Sequence, residues 1–247
     1  MITHNQQKMK SKIHQLLLVF SFFIVFSPVN GQELNELCIG NQIWLKTNLS
    51  VDTFLNGDKI IRATSAQEWR IYSEEKTPAY AVYNFDSVPS EGMGFLYNWY
   101  VISDSRGLVP NNWKIPEKED FQLLLDFLGK QAAKKMKSSG YWENESCRSC
   151  SINGSNCGVC KEERRKENKV IIGNGDNSSG FGALPSGYID INGFCQKMDN
   201  QTVFWTASDV MSSDELVYCL PIRFGFNDAY LSYDLKGMGF SLRLIKR

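Results

Sequence analysis

The residues best suited to chemistry are four cysteines within fourteen positions, Cys147-x-x-Cys150-x6-Cys157-x-x-Cys160. Asn153-Gly154 stands at their centre, a strong signal for a two-residue hairpin turn. That turn sets Cys150 opposite Cys157 and Cys147 opposite Cys160. Each Cys-x-x-Cys pair can then curl as a knuckle, and four thiolates brought to one point suit a tetrahedral zinc ion. Arg164, Arg165 and nearby lysines would offset part of the thiolate charge. Two cross-strand disulfides fit the same spacing, because opposed strand residues hold their Cβ atoms close together. Redox catalysis by one Cys-x-x-Cys is a third reading, without the βαβ surroundings of a thioredoxin-like site. Under the zinc and disulfide readings the role is structural: the cluster staples a polar insertion over about 143–172 that has no core of its own. Of the other cysteines, Cys195 and Cys219 are candidates to pair between neighbouring β segments, which leaves Cys38 free.

Other chemical groups are sparse. The chain has two histidines, His4 and His14, and both lie within an N-terminal segment with the form of a secretory signal peptide, ahead of its apolar run. Lys8, Lys10 and Lys12 make a basic start, Leu16–Phe26 is an apolar run of eleven residues, and small or turn-forming residues lead to a cut near Gly31. Eleven residues are too few to cross a bilayer core. Cleavage would leave residues 32–247 with no histidine, which excludes His-dependent triads and His-ligated metals. It removes three lysines and no acids, so 24 basic residues face 27 acidic ones. That mildly acidic balance gives no electrostatic footprint for nucleic acid. No later apolar run is long enough for a transmembrane span. The expected location is secreted, periplasmic or cell-surface. Walker, GxSxG, HExxH and Rossmann motifs are absent. Asn227-Asp228 reads as a turn. Gly173–Asn177 reads as a polar loop without a full calcium-ligand set.

Two helices stand out among the elements that must position these groups. Ser65-Ala-Gln-Glu68 is a capping-box signal for a helix to about Lys76, ahead of Pro78. The clearer helix spans 117–128. Acids occupy its first turn, Phe121, Leu124, Leu125 and Leu128 form its apolar stripe, and Gly129 stops it. A short basic helix over about 131–137 follows. Strands are expected at 43–49, 80–85, 95–102, 181–189, 202–207, 216–224, 229–233 and 240–245. The last alternates Phe240, Leu242 and Leu244 with polar neighbours, as an edge or half-buried strand would. Together these elements suggest an α+β domain.

Several motifs, in order, resemble one family. They are Ile39-Gly-Asn-Gln-Ile-Trp-Leu45 with Asn48-Leu49, Leu96-Tyr-Asn-Trp-Tyr-Val101, and Gly107-Leu-Val-Pro-Asn-Asn-Trp-Lys-Ile-Pro116. Lys135-Met-Lys137, Ser179-Gly-Phe-Gly-Ala-Leu-Pro185, Phe204-Trp205-Thr206 and Gly239-Phe-Ser-Leu-Arg-Leu244 follow. From about Cys38 to the C-terminus the chain resembles the Fibrobacter succinogenes major paralogous domain, a family of secreted bacterial proteins. The resemblance implies an α+β, C-type-lectin-like domain with two main helices, short antiparallel sheets and long loops. It implies no established activity. Lys114 stands where the family often has His, and Val109 and Leu244 stand where many members have Cys. The aromatic residues Trp44, Trp99, Trp113, Phe181 and Trp205 read as core or loop anchors, and Gly107, Gly180 and Gly187 as turn formers.

The expected function is therefore a secreted or cell-surface, non-catalytic module that recognises an extracellular glycan or protein through loops at 84–95, 143–176, 208–214 and 225–229. The alternative is an oxidative or metal-dependent enzyme distantly like formylglycine-generating enzymes, for which Cys195 and Cys219 are the only spare thiols. Metal analysis with thiol titration tests the cysteine cluster. Structural zinc requires one zinc per chain, lost when the four cysteines become serine; four blocked thiols without metal overturn it.

Overall fold

The computed structural model describes residues 36–142 and 175–247, all of which fall in one compact unit. Segment 1–31, read from sequence as a signal peptide, and the expected cysteine-rich insertion at 143–172 lie outside the described residues. Among the described residues are three sheets and four α-helices. The first sheet runs β1 (Glu36–Ile39), β2 (Gln42–Leu45), β12 (Ile245–Lys246), β6 (Trp113–Lys114). The smallest runs β3 (Ile61–Arg62), β4 (Ala79–Ala81), β5 (Leu96–Tyr97). The largest runs β11 (Ser232–Leu235), β10 (Leu216–Arg223), β9 (Gln201–Asp209), β7 (Ser186–Ile189), β8 (Cys195–Met198). The helices are α1 (Ala66–Glu74), α2 (Trp99–Ile102), α3 (Lys118–Leu128) and α4 (Ala132–Met136).

The α+β expectation holds; the first sheet is antiparallel as expected, and the other two are mixed. β3 and β4 pair in parallel because α1 carries the chain back between them. β7 and β9 also pair in parallel, at Gly187 and Thr202. Gly187 has φ +65°, and a Cβ there would lie 2.6 Å from the Gln196 carbonyl oxygen, so only glycine fits this junction.

Local chemistry accounts for the helix ends. Ser65 accepts the Glu68 N–H at 3.2 Å, and Glu68 reaches back to the Thr64 N–H at 2.7 Å, so α1 starts where its capping signal predicts. Asp120 accepts the Glu117 N–H at 2.8 Å to open α3, and Gly129 closes it at φ +63°. Lys114 also salt-bridges Asp120 at 2.7 Å, which ties β6 to the start of the helix. Phe121, Leu124, Leu125 and Leu128 are buried against Trp44, Phe204, Leu220 and Ile222. The expected strands at 80–85 and 95–102 stop early. Tyr83–Phe85 forms a 3-10 turn with Asn84 and Phe85 at positive φ, and Trp99–Ile102 is helical. In both places the aromatic side chains follow tertiary packing over strand propensity.

The larger correction concerns the closing segment. Residues 240–245 are buried on both sides, with Ser241 and Arg243 as inaccessible as their apolar neighbours. The segment bridges all three sheets: Tyr97 pairs with Phe240, Phe204 with Ser241, and Ile245 with both Trp44 and Lys114. Its alternation separates an apolar core from a polar one. In the polar core Ser241 bonds Ser186 at 2.9 Å, and Ser186 bonds Thr202 at 2.8 Å. The Arg243 guanidinium donates to Asn48 Oδ1 at 2.7 Å, to the Phe181 carbonyl at 2.7 Å and to the Leu45 carbonyl at 3.3 Å. Phe181 covers it at 4.5 Å. Burial lowers its pKa to about 9, so it remains charged at neutral pH.

Replacing Arg243 by Ala opens a cavity and strands the Asn48 and Phe181 acceptors. The expected cost is about 3–5 kcal/mol in denaturant unfolding. The exposed Arg223→Ala should stay within about 0.5 kcal/mol of wild type.

Candidate functional site

The inward stripe of α3 belongs to the core, so its outward residues decide what that side of the domain presents. Lys118, Gln122 and Asp126 recur every four residues and form one polar ridge, extended past Gly129 by Lys130. Facing this ridge is the chain that leaves β10, turns at 225–229 and enters β11. Between them lies a groove of about 620 Å³, lined by Gln122, Asp126, Lys130, Asp228 and Tyr230 over a floor of Leu125 and Ala229. Tyr230 is 74% exposed. Sheet register extends the same surface. Tyr218 lies opposite Tyr233, and Leu216 opposite Leu235, so these side chains share one face of the sheet. Lys118 lies 4.6 Å over the Tyr218 ring, which identifies that face as the α3 side. Tyr233 is 57% exposed there.

The groove's polar groups are held in place from behind. Gln122 donates to Asp126 Oδ1 at 2.8 Å. Asp228 Oδ1 accepts the Gln131 N–H at 2.7 Å, and the Asn227 carbonyl accepts the Lys134 N–H at 3.0 Å. The Asn-Asp turn therefore anchors the start of α4. Lys135 donates to the Leu128 carbonyl at the end of α3. Lys137 is buried, donates to the Phe226 carbonyl at 2.6 Å and has its pKa lowered to about 8 by that burial. The Lys135-Met-Lys137 motif thus fixes both walls of the groove to one short helix.

The other expected recognition segments have separate settings. Loop 84–95 roofs a small cavity of about 30 Å³ against Ser186 and Met198, room for a water-sized occupant. Turn 208–214 carries the fully exposed Met211 and ends at Glu215, which salt-bridges Lys76 at 2.6 Å. Segment 143–176 lies almost wholly outside the described residues, as do Cys147, Cys150, Cys157 and Cys160. At its described end Asp176 accepts the Ser178 N–H and lies 3.8 Å from Lys134, while Asn177 accepts the Gly182 N–H. Among the described residues no group of three or more His, Cys, Asp or Glu side chains could hold a metal ion. Trp44, Trp99, Trp113, Phe181 and Trp205 are all buried, as their anchor reading requires.

The expected pairing of Cys195 with Cys219 does not form; Cys38, Cys195 and Cys219 are free thiols. Cys195 lies on β8 and Cys219 on β10, with β7 and β9 between them. Three strand spacings amount to about 14 Å, far beyond disulfide reach. Burial raises the pKa of both thiols, although Cys195 Sγ accepts the Asn84 N–H at 3.1 Å. Neither is poised as a thiolate. Gln122, Asp126 and Tyr230 of the groove, and Tyr233 on the neighbouring sheet face, escaped the sequence reading. Their signal was present: a four-residue polar repeat on the outer face of α3, and tyrosines in a segment read only as a strand.

In a chain whose clustered cysteines are serine, a thiol reagent should modify exposed Cys38 first and half-buried Cys195 more slowly. Cys219 should react only on unfolding. Fast reaction of Cys219 in the folded chain would contradict its burial. Among the described residues, no helix is long and apolar enough to cross a membrane. No curated protein and no solved structure matches the chain significantly. The sequence profile of the Fibrobacter succinogenes major domain matches residues 37–246, the region that holds the buried Arg243 segment, α3 and the groove, and the chain therefore belongs to the Fibrobacter succinogenes major domain family.

Proposed function

We propose that this domain is a non-catalytic binding module, secreted or held at the cell surface, that recognises an extracellular glycan or protein. Its scaffold is read as C-type-lectin-like. Support for that reading comes from the pairing of β12 with β2, the two main helices and the long connections between short strands. The observation that carries the function is the groove beside α3. Exposed tyrosines and hydrogen-bonding side chains stand there on a base that is buried and fully packed. A rigid base with adaptable polar groups at its rim favours recognition, because little ordering entropy is lost on binding. The two free thiols on the large sheet are separated, protonated and turned into packing, which weighs against a thiol-based oxidative enzyme.

An array of extracellular glycans and extracellular proteins tests the proposal. At least one ligand should bind the mature chain, and Tyr230→Ala should weaken it about tenfold without lowering the melting temperature. An array with no binder, or binding indifferent to Tyr230, would overturn the assignment.

A further inference from the structure

We infer that the trough beside α3 receives an uncharged polysaccharide strand, with sugar faces laid on Tyr230 and Tyr233 and hydroxyls bonded by Gln122 and Asp126. The inference rests on the binding-module reading and narrows it to one ligand class.

Three observations select that class. The first is shape. From Lys118 to Asp126 the ridge runs about 12 Å along the helix axis, and Lys130 extends it. On the opposite side Tyr230 and Tyr233 follow one another along the chain into β11. An extended ligand can therefore touch polar groups on one flank and aromatic rings on the other at more than one point. The second is polarity. The groove's apolar floor is limited to Leu125 and Ala229, both buried, and half-buried Leu231. It offers no deep pocket for the apolar anchor on which a protein interface depends. What it does offer is flat rings with hydroxyl tips and acceptors in two orientations. Gln122 and Gln131 each engage one oxygen of a carboxylate, Asp126 and Asp228 respectively. The second oxygen of each carboxylate has no hydrogen-bond partner among the described residues. A pyranose matches this combination: its C–H face stacks on an aromatic ring while its equatorial hydroxyls donate to carboxylates and amides. The third is charge. Lys130 stands against Asp126 and Asp228 in the lining, a weakly negative field from which a polyanion gains nothing and which one excess charge leaves too weak to select a polycation.

Affinity electrophoresis in gels containing xylan, hydroxyethylcellulose or glucomannan, with polygalacturonate and gelatin gels as alternatives, tests the inference. The chain from residue 32 onward should be retarded by at least one neutral polysaccharide. That retardation should persist to about 0.5 M salt, because no ion pair carries it. Tyr230→Ala with Tyr233→Ala should weaken it about tenfold, and Gln122→Ala about threefold, as loss of stacking or of one hydrogen bond would. All three positions are exposed, so the melting temperature should not move. Retardation by polygalacturonate or gelatin alone would overturn the neutral ligand class while leaving a binding module intact. Neutral binding that ignores the tyrosine variants would overturn this site. Migration unaffected by all five matrices would overturn the inference, and with an empty array would overturn the binding module as well.

Discussion

The charge of Arg243 is the constraint around which the rest of the domain is arranged. A guanidinium taken fully out of water is unfavourable by many kcal/mol unless dipoles replace its hydration. No carboxylate takes that role here. Asn48 contributes its side-chain carbonyl, and Leu45 and Phe181 contribute backbone carbonyls. Two stretches of chain distant from each other must therefore meet the closing segment before the arginine can be buried. Leu45 ends β2, Asn48 lies just beyond it, and Phe181 precedes β7. Asn48 is itself held by the Met93 carbonyl, to which it donates at 2.8 Å. The planar fork of arginine suits this task, since it can address several carbonyls at once where a lysine has a point charge.

The groove inherits its shape from the same centre. Phe181 covers Arg243 and packs edge-on against both Trp44 and Phe204. Trp44 stacks on Phe121 at 5.2 Å, and Phe121 is the first inward residue of α3. A displacement of α3 would disturb this aromatic set, so the helix backbone that carries Lys118, Gln122 and Asp126 is held by the core beneath it. The opposite wall is secured independently, by Asp228 and Asn227 on the start of α4 and by Lys137 on Phe226. Two separately anchored walls make a preformed trough, and preformed sites lose least on binding.

Much of this was legible in the sequence wherever the physics is local. Ser65 with Glu68, and Glu117 with Asp120 and Gly129, located both main helices because capping acts within one turn. The tryptophans and Phe181 were legible as anchors because large aromatic area dominates burial. Misreadings came where a distant partner decides. Trp99 lies in a stretch that looks like a strand, yet its indole N–H bonds the Thr206 carbonyl at 2.9 Å and the backbone coils to deliver it. Ser241 and Arg243 look like the wet face of an edge strand, and only the presence of Asn48, Ser186 and Thr202 makes a second polar interior for them. Cys195 and Cys219 seemed to be neighbours because chain order does not give sheet order; β7 and β9 lie between. Tyr230 and Tyr233 read as strand propensity because nothing local says which face of β11 meets a helix.

Stability and recognition thus fall on different residues, and the difference is one of exposure. The polar side chains around the closing segment, Asn48, Ser186, Thr202, Ser241 and Arg243, are buried and bonded within the domain, out of reach of a ligand. In the groove Gln122 bonds Asp126 and Asp228 bonds the Gln131 N–H, while all three side chains lie at an exposed rim, which is the state a recognition surface requires. The described residues include no histidine, and their thiols are held in packing or away from one another, so that surface relies on rings, amides and carboxylates. Such groups bind by shape, stacking and hydrogen bonding. Under the proposed binding role, substitutions at 118–130 and 225–235 would alter the ligand while the arginine-centred interior continues to define the same fold.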